Sequence, residues 1–169
     1  MPRQFAVSFD YRCPFARNGH ESVVAGLREG RDWDVRFLPF SLDQVHVEEG
    51  ETPVWDRDPD AWGTGVSALL WGIAARDAFP DKFLDWHLAA FTARHDHGAK
   101  IAKTEVLAEI ATSVGLDAES LIRRIAERAD RGKPVARSAA PRRRANRCRS
   151  ARVPRVAAGS RSTRDKRSP

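Results

Sequence analysis

The chain has 169 residues, a length that suits one domain with a real hydrophobic core. Its formal charge of +6 divides unevenly: residues 137–169 hold 12 Lys/Arg and one acid, while residues 1–136 hold 17 basic and 22 acidic side chains and so carry −5. No apolar run approaches the roughly 18 residues that span a bilayer, MPRQFAVSF lacks a secretory-signal pattern, and two cysteines 135 positions apart make no disulfide framework, which together predict a cytoplasmic protein without a membrane partner.

Gln4 to Phe9, QFAVSF, is short and rich in β-branched and aromatic residues, and predicts a strand. From Pro14 to about Leu27 the apolar residues Val23, Val24 and Leu27 fall at helical spacing, and Gly30 supplies a stop. Asp34 to Phe40, DVRFLPF, alternates Val35, Phe37 and Pro39 on one face and predicts a second strand. Strand, helix, strand in forty residues implies a βαβ unit with a parallel pair.

Residues 41–62 are acidic, interrupted by Pro53 and Pro59, and predict irregular chain. From Trp62 onward the pattern is helical. Val66, Leu69, Leu70 and Ile73 form one stripe ending at Pro80, and Phe83, Leu84, His87, Leu88 and Phe91 form a second. Thr104 is a candidate N-cap for a third helix with Leu107, Ile110 and Val114, closed by Gly115. Asp117 caps a fourth, carrying Leu121, Ile122, Ile125 and Ala129 before Gly132-Lys133-Pro134.

The tail from Arg137 has no Leu, Ile, Met or aromatic residue, too little apolar surface to offset its ordering entropy, and predicts disorder. Twelve basic residues suit phosphate charge, but the tail has no aromatics for stacking and no reading module. A solvated or accidental tail is therefore preferred to a nucleic-acid partner, which stays as the reading from a different class: a non-catalytic protein with a binding tail.

The functional signal is DYRCPFARNGH, residues 10–20. Pro is favoured at the first position of a helix, so Pro14 puts Cys13 at or near the N-cap. There the free N–H groups and the positive end of the helix dipole favour thiolate over thiol. Arg12 and Arg17 are close enough in sequence to add to that field. A cysteine at the mouth of a βα turn is a candidate nucleophile, whereas the plainer reading is a small buried residue in a strand–helix corner.

FDYRCPFARNGHESVV resembles the active-site turn of the DsbA-like thioredoxin-fold oxidoreductases, nearest to cytoplasmic actinobacterial-type members related to mycothiol-dependent reductases and 2-hydroxychromene-2-carboxylate isomerases. The resemblance implies an α/β thioredoxin-like fold with a helical insertion: a βαβ unit over 1–40, the insertion over 41–135 and an Arg-rich tail over 136–169. It implies thiol–disulfide exchange, with Cys13 as nucleophile supported by Pro14, Ala16, Arg12 and His20. Two departures qualify it. Ala16 stands where dithiol members carry a second cysteine, so a mixed disulfide on Cys13 needs an external thiol to resolve it. Cys148, in the tail, is a poor substitute. The second departure is the loop that holds the family's cis-proline: only Pro154, in ARVPRVAAG, offers an equivalent, without the apolar residues that the following strands need. The tail therefore reads as the product of a shifted reading frame, with the C-terminal part of the fold missing.

On this reading no cofactor is bound, and mycothiol or glutathione serves as co-substrate. The partners are small-molecule or protein thiols and disulfides. A glutathione- or mycothiol-dependent isomerase or transferase of the same fold is the alternative.

His20, seven residues past Cys13 and about two helical turns on, is read chiefly as a surface residue or one that backs the site. His95-Asp96-His97 with His87 invites a metal, but the spacing suits a strand and the segment reads as a helix end, so no metal is expected. Trp71 and Trp86 are expected inside the helical part, and Trp55 and Trp62 are the candidates for a substrate groove.

Overall fold

The N-terminal strand runs over Arg3–Phe9 (β1) and the second over Trp33–Pro39 (β2), and they pair in parallel from Arg3 opposite Trp33 to Phe9 opposite Pro39. Helix α1, Pro14–Arg28, is the crossover between them. In this computed structural model residues 1–58 and 62–130 are described. Alternation along β1 turns Phe5, Val7 and Phe9 inward and leaves Gln4, Ala6 and Ser8 exposed, as period-2 geometry requires.

The chain then makes one short helix, α2 (Leu42–Val45), and a single 3₁₀ turn at Val54–Asp56. Residues 41–62 are thus not wholly irregular as expected, although most of the stretch is. Four longer helices follow: α3 (Thr64–Ala78), α4 (Pro80–His95), α5 (Thr104–Ser113) and α6 (Ala118–Asp130). The described part is therefore a mixed α/β protein with six α-helices and a two-stranded parallel sheet.

Helix punctuation departs from expectation at the start of α3 and at the cap of α5. Helix α3 begins at Thr64, so Trp62 lies outside it. Pro80 marks the end of α3, which stops at Ala78, and is also the first residue of α4, where its missing N–H has no helical partner to lose. Lys103, not Thr104, is the N-cap of α5, because it has the extended backbone and its carbonyl receives the Leu107 N–H at 3.1 Å. The stops expected at Gly30 and Gly115 are present. Gly30 and Gly115 sit in the left-handed region, and the residue after each donates back across the last turn of α1 and α5. Asp117 caps α6, accepting from Glu119 N–H at 3.1 Å and from the Ser120 hydroxyl at 2.6 Å, and these bonds hold its carboxyl below the usual value.

One main core joins the sheet to the helices. Phe9 and Tyr11 pack in the same cluster as Leu69, Trp71, Phe83, Trp86, Phe91, Ile101, Leu107 and Leu121. A smaller cluster holds Val54, Val66, Leu70 and Ile73, with Trp55 and Trp62 packed on it. No helix among the described residues is long and apolar enough to cross a membrane. The expectations for residues 131–169, including the Gly132-Lys133-Pro134 stop, Cys148 and Pro154, lie outside the described residues.

Candidate active site

Cys13 stands at the junction expected for it. It is the N-cap of α1, with extended backbone (φ −86°, ψ 113°), Pro14 directly after it and a partly exposed side chain. The Ala16 N–H donates to its Sγ at 3.4 Å, so the sulfur occupies the place where a capping oxygen would satisfy a free N–H of the first turn. Ala16 thereby contributes its backbone and not its side chain. Phe15, between them, is the most exposed aromatic ring described, at 85%.

The turn ahead of Cys13 is held by Asp10, a residue the sequence reading passed over. Asp10 is buried; its Oδ1 accepts the Arg12 N–H and its Oδ2 the Leu42 N–H, both at 2.8 Å, while its carbonyl accepts the Cys13 N–H at 3.0 Å. One carboxylate therefore closes the 10–13 turn and ties it to the start of α2. An aspartate hydrogen-bonding the backbone two residues on is a recurrent turn device, and Asp two residues before Arg12 was the available signal. Arg12 reaches Asp43, Nη1 to Oδ1 at 2.8 Å. Arg17 pairs with Asp96 at 2.6 Å and Glu21 at 3.1 Å. Both guanidiniums are matched by carboxylates.

His20 is not a surface residue. It is 3% exposed, with Nε2 at 3.0 Å from the Ser8 carbonyl oxygen and Nδ1 at 2.8 Å from Nε2 of His87. His87, in turn, has Nδ1 at 2.8 Å from the Tyr11 hydroxyl, and both His87 and Tyr11 are fully buried. Rings of Phe9, Phe37, Phe83 and Phe91 surround His87 with centroids 4.7–5.4 Å away. The surface reading failed because α1 presents this position to α4 and the sheet, and the position is buried only when those elements close on it. Gly72 of α3 completes the fit: a Cβ there would lie 2.5 Å from the Tyr11 hydroxyl oxygen.

Burial sets the charge of this group. Desolvation pushes the His87 pKa well below the usual imidazole value, with neighbouring His20 adding to the shift. His20 is lowered for the same reason, against the opposing bond to Ser8. Tyr11 is raised well above its usual value by burial, with Arg76 opposing and Asp10 adding.

The metal reading is addressed by where the histidines go. His87 is spent on Tyr11 and His20, and Nε2 of His95 on the Tyr11 carbonyl oxygen at 3.0 Å, while Asp96 is paired with Arg17. No group of three or more His, Cys, Asp or Glu among the described residues is arranged to hold a metal ion. Trp55 and Trp62 are half-buried on the smaller cluster, and the Trp62 ring N–H donates to the Arg57 carbonyl at 3.0 Å. Trp71 and Trp86 are buried in the main core as expected. The assembled site is thus Cys13 on a helix end, with Asp10 and Tyr11 fixing the turn before it. No family model matches the chain, and no curated protein matches it.

Proposed function

We propose that the chain is a monothiol, DsbA-like enzyme of thiol–disulfide exchange, built on a thioredoxin-like fold with a helical insertion, and that Cys13 is its nucleophile. The observation that carries this reading is the Cys13 sulfur at the N-cap of α1, partly exposed and accepting the Ala16 N–H. That environment suits a thiolate. The β1–α1–β2 order with a parallel pair supports the fold.

The chemistry proceeds in two exchanges. The Cys13 thiolate attacks one sulfur of a substrate disulfide, forming a mixed disulfide and expelling the other sulfur as a thiolate. Ala16 offers no second thiol, so a small external thiol such as mycothiol or glutathione attacks the Cys13–substrate bond. Cys13 leaves as thiolate and the two substrate-derived sulfurs end in reduced and mixed-disulfide form, with no net loss of electrons.

The test uses the full chain with Cys148→Ser, incubated with oxidised glutathione and followed by intact mass. Rapid addition of one glutathione to Cys13, reversed by excess reduced glutathione and abolished in Cys13→Ser, is the expected result. No adduct on a folded protein overturns the exchange reading. A Cys13→Ser variant that still turns over an electrophile with added glutathione would favour the isomerase or transferase alternative.

A further inference from the structure

The Tyr11 hydroxyl, His87, His20 and the Ser8 carbonyl form an unbroken hydrogen-bonded chain with links of 2.8, 2.8 and 3.0 Å. Its direction follows from its last member. A carbonyl only accepts, so Nε2 of His20 carries a hydrogen. A neutral imidazole has a single N–H, which leaves Nδ1 of His20 as acceptor and requires Nε2 of His87 to donate. Nδ1 of His87 is then bare and accepts the Tyr11 hydroxyl hydrogen. One proton assignment satisfies all three links with both rings neutral, and a second proton on His20 alone would set N–H against N–H.

The chain joins the parts that place Cys13. Ser8 lies in β1, which leads into the turn; Tyr11 lies in the turn, two residues before the sulfur; His20 lies in α1, the helix that Cys13 caps. His87 is the one member that belongs to α4, and it connects the other three across the core. His95, eight residues further along α4, donates from Nε2 to the main-chain oxygen of the same tyrosine. The groups acting electrostatically on the chain are Asp10 from the turn and Arg76 from α3, both at Tyr11. A buried polar chain costs desolvation that a purely apolar filling avoids, and it is tolerated only when every member is bonded. What such a chain contributes is a single relative placement of the elements it joins.

We infer that His87 is a positioning residue for Cys13. By accepting from Tyr11 and donating to His20, it sets the 10–13 turn against the start of α1, so that the sulfur stays at the helix end. This rests on the reading of Cys13 as nucleophile.

The experiment uses the full chain with Cys148→Ser and two reagents, iodoacetamide and oxidised glutathione, with folding checked by circular dichroism. Imidazole nitrogen NMR shifts at neutral pH are expected to show both His20 and His87 neutral with hydrogen on Nε2. His87→Phe keeps the ring volume and removes both links, and both Cys13 reactions are expected to slow about tenfold through misplacement of the sulfur. His87→Gln, whose amide both accepts and donates, is expected to recover most of that rate. A folded His87→Phe protein that reacts at the parent rate overturns the inference, as does a charged or Nδ1–H imidazole at either position. Should His87→Phe not fold, Tyr11→Phe replaces it, with the same slowing expected and an unchanged rate overturning. If the parent protein forms no glutathione adduct yet alkylation follows the variants as described, the exchange reading falls while the positioning role stands.

Discussion

The two apolar clusters of this protein are built on different terms. The smaller one, Val54, Val66, Leu70 and Ile73, has its described polar contacts at the rim, where Trp62 donates to Arg57 and the Val54 N–H donates to Gln44. The larger one has Tyr11, His87 and His20 threaded through its aromatic rings. Hydrocarbon packing is tolerant of small rearrangements, whereas a directional hydrogen-bond chain is not. The protein places the intolerant arrangement beside Cys13 and the tolerant one under the acidic 41–62 stretch, where the 3₁₀ turn needs only cover.

The greatest expected loss comes from breaking the larger cluster at its hub. Phe91 is fully buried and its ring meets Tyr11, His20, His87 and His95. Phe91→Ala should cost about 3–5 kcal/mol, read from the urea midpoint at constant slope. A loss near that of a surface substitution would mean that the rings do not act as one packed unit.

Acidification separates the clusters more finely. Both His20 and His87 have folded-state pKa values below the unfolded value of about 6.5, so the unfolded chain takes up protons first as the pH falls. Their contribution is complete above about pH 6.5 and is lost as pH drops toward the folded values, at up to about 1.4 kcal/mol per pH unit for each ring. Tyr11 works in the opposite sense: its raised pKa keeps its contribution below about pH 10 and loses it as pH rises through the folded value. Urea titrations across this range should show a plateau bounded on both sides. A flat profile between about pH 5 and 7 would contradict buried neutral rings.

The mildest change sharpens the contrast. Ile73→Val in the smaller cluster should cost about 0.5–1.5 kcal/mol, and the difference from the parent should be independent of pH, since the described residues of that cluster are all apolar. A pH-dependent difference would show that the clusters are coupled through α3.

Much of the layout was legible in the residues. The strand at 3–9, the helix after Pro14, the strand at 33–39 and the α6 cap at Asp117 each rest on neighbours within a few positions, and local spacing suffices to read them. Cys13 at a helix N-terminus was legible for the same reason. One capping expectation slipped by a residue because Thr104 and Lys103 compete for one role, and the backbone entering α5 decides it.

The partners of His20 were not legible. His87 lies 67 positions away, and its place in an apolar stripe of α4 marks it as inward-facing without naming what it meets. Asp43, which takes up Arg12, is hidden in the same way within an acidic stretch where any carboxylate looks solvated. The sequence by itself determined the elements and put a cysteine on a helix end, because helix caps and strand alternation are properties of adjacent residues. Only the tertiary structure decided that Arg12 turns to Asp43, that His20 is buried and that Tyr11, His87 and His20 form one neutral chain, because those choices depend on which distant elements close over each side chain and exclude water.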